Sequence, residues 1–95
     1  MNDVFAKPTP APELRSRLLA LIGQILDKGD GSSLPVEARL SELGMSSMKM
    51  INLMLAIEVE FDLSIPQAEI TPDNFESIAS VEALVVRLLS SAPGM

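Results

Sequence analysis

A chain of 95 residues with a net charge of −6 is long enough for one small domain, which we assign to residues 13–91. Almost half of the residues are apolar but only three are aromatic, all phenylalanine, so aliphatic side chains build the core and packed helices are favoured over a sheet. The chain has neither cysteine nor histidine, which excludes disulfides, thiolate metal sites, a thiol nucleophile and a serine activated by histidine.

The excess of negative charge lies after residue 30, where nine acidic residues face three basic ones. Binding to nucleic acid needs clustered Lys and Arg residues, so this distribution argues against it. Two interpretations of the acids are equally favoured: they steer basic protein partners, or they keep a small apolar domain soluble. Because no apolar run spans a bilayer and the N-terminus does not resemble a signal peptide, we expect a cytoplasmic protein with no membrane partner.

The first predicted element is a flexible lead over residues 1–12, which contain three prolines and no apolar periodicity. From Glu13 onward, apolar residues recur at spacings of three and four, which predicts an amphipathic first helix. Its apolar positions are Leu14, Leu18, Leu21, Ile22, Ile25 and Leu26. The helix is expected to end at residues 27–29, where Gly29 suits the left-handed conformation of a C-terminal cap.

Residues 28–45 form an unusually long connection for a compact domain. We expect this connection to cross the bundle, held by four spaced apolar side chains. They are Leu34, Val36, Leu40 and Leu43. Residues 27–31 faintly resemble a calcium loop, but Ala38 stands at the twelfth position, where a glutamate is needed. No metal site is therefore predicted.

Three further helices are predicted after this connection. The second helix starts at Ser46 or Ser47 and ends at about Phe61. Thr71 and Pro72 are typical of a helix start, so a short helix is expected over residues 72–76.

The last helix is predicted to have Ser80 as its N-terminal cap. Its apolar face comprises Val81, Leu84, Val85, Leu88 and Leu89. Residues 92–95 are expected to form a flexible end. The predicted fold is an all-α four-helix bundle with three main helices, one short helix and a long loop between the first two.

The second helix has two apolar faces on a helical wheel. The core stripe comprises Met50, Leu53, Met54, Ile57 and Phe61. A second set, which we call the outer row, lies nearly opposite and comprises Met48, Ile51, Leu55 and Val59. Two interpretations of the outer row remain open: another segment covers it, or it is an exposed contact patch flanked by Glu58 and Asp62.

Ser46 and Ser47 stand at the start of the second helix. A hydrolytic role is excluded because no histidine is present and the segment after Gly44 lacks the second glycine of a nucleophile elbow. Lys49 does not meet Ser47, because residues two apart on a helix point to different sides. Serine is a favoured N-terminal cap, and we assign that role to Ser46. Ser47 is then a first-turn residue, where free N–H groups and the helix dipole favour a phosphate.

The chain resembles the acyl carrier protein family over roughly residues 13–91. The similarity lies in LGMSSM (residues 43–48), LMLAIEVEFD (residues 53–62), Ile65-Pro66 and ITPDNF (residues 70–75). The resemblance implies a four-helix fold and a 4′-phosphopantetheine arm that a phosphopantetheinyl transferase transfers from coenzyme A to Ser47. It further implies a monomeric, non-catalytic shuttle that carries acyl groups as thioesters between acyl-loading and acyl-processing enzymes of fatty-acid, polyketide or related biosynthesis.

The resemblance also implies a partner surface on the second helix. This surface comprises Met48, Ile51, Leu55, Glu58, Val59 and Asp62. The family usually has an aspartate immediately before the modified serine, where this chain has Ser46. Serine replaces the aspartate as a cap but not as a charge. This departure indicates a specialised carrier, and it also supports the competing interpretation, a carrier-like helical interaction module that is never modified.

Overall fold

A computed structural model describes residues 12–90, and its three α-helices are α1 (Pro12–Leu26), α2 (Ser47–Phe61) and α3 (Ile78–Ser90). Two short 3-10 helices lie at Leu40–Leu43 and Gln67–Glu69. Over these described residues, the only β-pairing is an isolated bridge between Arg39 and Ser77. The all-α class is therefore confirmed. The predicted flexible ends lie outside the described residues, except for Pro12.

α1 begins one residue earlier than the sequence predicted, because proline is well tolerated in the first turn of a helix. The prediction that Gly29 caps the other end is wrong. Asp27 takes the left-handed conformation there, with φ of 62°. The Lys28 N–H donates to the Gly23 carbonyl at 2.6 Å and the Asp27 N–H donates to the Gln24 carbonyl at 3.3 Å, the pattern of a Schellman cap. Aspartate is one of the few residues that tolerate this conformation.

The long connection crosses the bundle as expected. Leu34 and Leu40 are buried, and Val36 and Leu43 pack against the core. Two backbone hydrogen bonds tie the connection to the start of α3: the Leu40 N–H donates to the Glu76 carbonyl at 2.8 Å, and the Ala79 N–H donates to the Val36 carbonyl at 2.9 Å.

The connection also lies directly against α1, through two glycines. Gly31 is buried with φ of 74°, and a Cβ atom there would run into the carbonyl of Leu19. A Cβ atom on Gly23 would lie 2.5 Å from the backbone nitrogen of Gly31. The close approach of the two backbones therefore depends on glycine on both sides.

In the same connection, hydrogen bonds from Ser32 to the carboxylate of Asp30 lower the pKa of that carboxylate.

The short helix predicted over residues 72–76 is only a turn. The predicted cap is present, since the Thr71 hydroxyl accepts a hydrogen bond from the Asn74 N–H at 3.2 Å. The turn does not extend into an α-helix, because Phe75 is buried in the core and the Glu76 carbonyl is engaged by the long connection.

α3 starts earlier than predicted, and Ser77, not Ser80, is its cap. The Ser77 hydroxyl accepts a hydrogen bond from the Ser80 N–H at 3.1 Å. Both serines have suitable chemistry, and the burial of Ile78 in the core requires the earlier start. The predicted apolar face is buried in its first part, whereas Leu89 near its end remains 38% exposed.

The core lies between the three helices and beneath the long connection. Its buried side chains are Leu18, Ile22, Leu26, Leu34, Leu40, Met45, Leu53, Ile57, Phe61, Ile65, Phe75, Ile78, Val81, Leu84 and Val85. Between Pro12 and Ser90, every helix is too short or too polar to traverse a bilayer.

Two arginines of α1 tie the helices together at the surface. Arg15 pairs with Glu82 of α3 at 2.6 Å, and this partner raises the pKa of Arg15. Arg17 pairs with Glu60 of α2 at 2.7 Å, and its guanidinium carbon lies 4.7 Å from the centre of the Phe61 ring. The orientation of α2 against α1 is therefore fixed by polar as well as apolar contacts.

Candidate functional site

The N-terminus of α2 is built around Ser46. This residue has an extended backbone, with φ of −87° and ψ of 172°, and its hydroxyl accepts a hydrogen bond from the Lys49 N–H at 3.2 Å. Its carbonyl accepts from the Met50 N–H at 2.8 Å. The hydroxyl and the carbonyl of Ser46 are thus both engaged in starting the helix, the geometry of an N-terminal cap.

Ser47, the first residue of α2, has the opposite character. Its side chain is exposed, and its hydroxyl forms no hydrogen bond with any residue in the described range. The backbone N–H groups of Ser47 and Met48 likewise have no acceptor within residues 12–90, as expected for the first turn of a helix. The site therefore combines a free hydroxyl with two free N–H donors.

This arrangement fits a phosphodiester on the Ser47 hydroxyl. Unpaired N–H groups and the positive end of the helix dipole stabilise an anion at this position. The first turn of α2 contains no acidic residue, so no side chain there repels a phosphate. The neighbouring carboxylate that the carrier family usually has is absent, and the helix start is correspondingly more favourable to negative charge.

The outer row lies exposed along α2. Its side chains are 69% (Met48), 51% (Ile51), 56% (Leu55) and 83% (Val59) accessible to solvent. In the core stripe, Leu53, Ile57 and Phe61 are buried and the two methionines are partly buried. Of the two interpretations left open by the sequence, coverage by another segment is wrong for the part of the chain that the structure describes.

The acidic residues predicted to flank the outer row have distinct surroundings. Glu58 is half-buried, and its Oε2 accepts a hydrogen bond from the Ile65 N–H at 2.8 Å, which fixes the segment after α2. Asp62 is exposed and ends the helix in the left-handed conformation, with φ of 54°. The carboxylate of Glu58 is therefore engaged within the domain, whereas Asp62 faces solvent.

An open groove of about 620 Å³ lies beside the start of α2, a volume within the usual range of small-molecule sites. Its lining includes Met45, Met50, Met54 and Phe75. Ser47 precedes Met50 by three positions and Met54 by seven, so the serine shares their side of the helix. Sequence periodicity gave no signal for this groove, because it places the methionines in the core stripe and carries no information about volume.

In the comparison with protein families, residues 16–87 match the model for the phosphopantetheine attachment site. Two similar proteins come from Bradyrhizobium diazoefficiens. Aminoacyl carrier protein 1 is 41% identical over 81 residues, which cover 84% of this chain and 90% of that protein. Aminoacyl carrier protein 2 is 40% identical over 85 residues, which cover 88% of this chain and 96% of that protein.

Two crystal structures of Bradyrhizobium japonicum glycine:[carrier protein] ligase also match. For the complex with glycylated carrier protein, the TM-score is 0.63 at 42% identity. This match covers 75% of this chain and 97% of the matched chain. For the complex with cognate carrier protein and an analogue of glycyl adenylate, the TM-score is 0.65 at 37% identity. This match covers 82% of this chain and 97% of the matched chain. The sequence comparison and the structure comparison therefore both lead to carrier proteins.

Proposed function

The chain belongs to the phosphopantetheine-binding carrier proteins, the acyl carrier protein family, and from this premise we propose that it carries an amino acid on an arm attached to Ser47. Family membership brings a covalently attached 4′-phosphopantetheine, and a carrier of this family is not itself a catalyst. The attachment residue and the class of cargo are the proposed parts.

The observation that carries the assignment of Ser47 is its free, exposed hydroxyl at the N-terminus of α2. The adjacent Ser46 is the natural competitor, but its hydroxyl is already bound to the Lys49 N–H. No histidine exists to activate Ser47, so the chain's own residues do not make it a nucleophile, and a phosphopantetheinyl transferase is required to form the bond.

The residues around Ser47 would hold the phosphodiester of the arm at the start of α2. The free N–H groups of Ser47 and Met48 would bind the phosphate, and Ser46 keeps the helix start in place. The thiol of the attached arm supplies the sulfur that this cysteine-free chain lacks and holds the cargo as a thioester. The chain itself binds and presents its cargo without reacting with it.

Two findings support an amino acid as the cargo. The similar proteins of Bradyrhizobium diazoefficiens are named as aminoacyl carriers, and the similar structures are complexes with a glycine ligase. The partner enzymes of the proposal are therefore a transferase that adds the arm and a ligase that loads it with an amino acid. The fatty-acid and polyketide cargo expected from the sequence has no corresponding support, and the cytoplasmic location stays a prediction.

The attachment site is tested by incubating the protein with coenzyme A and a broad-specificity phosphopantetheinyl transferase, followed by intact mass measurement. Wild type and Ser46→Ala are expected to gain the mass of one phosphopantetheine, and Ser47→Ala is expected to gain none. Ser46→Ala is the matched control, because it removes the neighbouring hydroxyl but leaves Ser47 in place. A wild-type protein that remains unmodified would support the alternative function, an unmodified interaction module.

The class of cargo is tested on the modified protein with the Bradyrhizobium japonicum glycine ligase, ATP and glycine. The expected product is the modified protein plus one glycyl group, and the thioester is expected to be released by hydroxylamine. A fatty-acyl ligase with a fatty acid serves as the comparison. Efficient loading with fatty acid and none with glycine would overturn the aminoacyl assignment and leave the carrier function intact.

A further inference from the structure

The first turn of α2 carries a positive charge, on Lys49, that has no ion-pair partner within residues 12–90. Resting on the proposed function, we infer that Lys49 compensates the negative charge of the phosphodiester on Ser47, so that attachment of the arm stabilises the start of α2. The modified protein is then more stable than the unmodified one, and Lys49 accounts for a large part of the difference.

Lys49 occupies an unfavourable position for a cation. Ser46 caps the helix, so Ser47 and Lys49 are the first and third residues of α2 and belong to the same turn. The helix dipole places about half a positive charge at this end, where it attracts acids and repels bases. The first turn contains no acidic residue. In the unmodified protein, two positive contributions therefore meet at the start of α2 without a negative one.

Two other charges that oppose a helix dipole have partners. Arg15, near the start of α1, pairs with Glu82 of α3 at 2.6 Å. Glu60, in the last turn of α2, pairs with Arg17 of α1 at 2.7 Å. Lys49 has no such partner in the described part of the chain. A place where a sequence breaks a local rule without compensation is where a functional group is expected.

No carboxylate close in the sequence is available to Lys49. The nearest ones along the chain belong to Glu42 and Glu58, seven and nine positions away. The Glu58 carboxylate accepts the Ile65 N–H at 2.8 Å, and Glu42 forms no ion pair within the described range. All four arginines of residues 12–90 are paired. The charge of Lys49 is therefore available to an anion at the start of α2.

Lys49 acts on this anion through its charge and not through contact with the Ser47 hydroxyl, since residues two apart on a helix point to different sides. Along the helix axis the two residues are separated by about 3 Å, given 1.5 Å per residue. This separation is small beside the roughly 8–10 Å over which charges act at moderate ionic strength. One negative charge on Ser47 therefore offsets both the dipole and Lys49, and high salt weakens the effect.

The test measures the thermal midpoint, Tm, of the full-length protein before and after attachment of phosphopantetheine, by circular dichroism. Wild type, Lys49→Gln and Lys28→Gln are compared at about 50 mM and about 500 mM NaCl, and intact mass verifies complete modification. Glutamine keeps a polar side chain but removes the charge. Lys28→Gln is the matched control, because it removes the same charge at an exposed position after α1, away from α2.

At low salt, modification is expected to raise the Tm of wild type and of Lys28→Gln by about 4 °C, and that of Lys49→Gln by about half as much. Unmodified Lys49→Gln is expected to melt about 2 °C above unmodified wild type, because the repulsion at the helix start is removed. At high salt, the modification shifts of wild type and Lys49→Gln are expected to differ by less than about 1 °C.

Equal shifts in wild type and Lys49→Gln at low salt overturn the inference. A difference that persists at high salt also overturns it, because packing of the arm against the lysine stem, and not charge, would then be the cause. An equally reduced shift in Lys28→Gln overturns it in favour of a general effect of net charge. These outcomes leave the proposed function standing, since the protein has gained the arm. If the mass of wild type does not change, the proposed function fails and the inference fails with it.

Discussion

The two apolar faces of α2 have similar side chains and opposite surroundings. Leu53 in the core stripe is fully buried, whereas Leu55, two residues later, is 56% exposed. The difference arises from position on the helix: the core stripe faces α1 and the long connection, and the outer row faces solvent. An apolar residue is therefore not a core residue by composition alone, and an exposed apolar row on a small domain is a candidate contact surface.

The comparison is tested most directly by shortening one leucine on each face. Leu53→Ala leaves a cavity in the core and is expected to lower the free energy of unfolding by about 2–5 kcal/mol. Leu55→Ala is expected to change it by less than about 0.5 kcal/mol, as for other exposed positions. Urea denaturation followed by circular dichroism measures both. Equal destabilisation by the two variants would contradict the division into buried and exposed faces.

The core face also depends on the glycine contact between α1 and the long connection. Gly31→Ala is expected to destabilise the domain by about 2 kcal/mol or more, because the φ of 74° is unfavourable and the added Cβ meets the Leu19 carbonyl. Gly29→Ala is the matched control, since its φ of 65° is similar but open space surrounds it. About 1 kcal/mol is expected for the control. Equal losses in urea unfolding would show that close packing is unimportant at Gly31.

The N-terminus of α2 places a capping serine next to the proposed attachment serine. Ser46→Ala removes the cap and is expected to lower the free energy of unfolding by about 1 kcal/mol. Ser47→Ala removes a hydroxyl that forms no hydrogen bond in the described part of the domain, so less than about 0.5 kcal/mol is expected. The unmodified proteins are compared by urea denaturation. A larger loss for Ser47→Ala than for Ser46→Ala would reverse the assignment of the cap.

The sequence predicted those parts of the fold that depend on local spacing. The three main helices follow from apolar periodicity, and the capping role of Ser46 follows from side-chain chemistry within one turn. The starts and ends of helices were less certain, because several nearby residues have suitable chemistry. The C-terminal cap of α1 is Asp27 and not Gly29, and α3 starts at Ser77 because burial of Ile78 decides between the two serines.

Features formed by residues far apart in the sequence were not predictable from it. Arg17 and Glu60 are 43 positions apart, and nothing in the local pattern of either residue indicates the other. The same holds for the contact of Gly31 with Leu19, for the groove along Met50 and Met54 and for the engagement of Glu58 by the Ile65 N–H. The exposure of the outer row was one of two interpretations, and only the packing of the other helices decides between them.

The smallest expected effect concerns the ion pair of Arg17 and Glu60, which lies between the core stripe and the outer row of α2. Both side chains are partly exposed, so a double-mutant cycle with alanine is expected to give a coupling of about 0.2–1 kcal/mol. Arg17→Lys tests the geometry further, because lysine keeps the charge but loses the planar contact with the Phe61 ring. If charge alone mattered, Arg17→Lys would be as stable as wild type. We expect Arg17→Lys to have a stability between those of wild type and Arg17→Ala. The guanidinium of Arg17 also donates to the Glu60 carbonyl at 2.7 Å, and lysine does not reproduce both hydrogen bonds together with the ring contact.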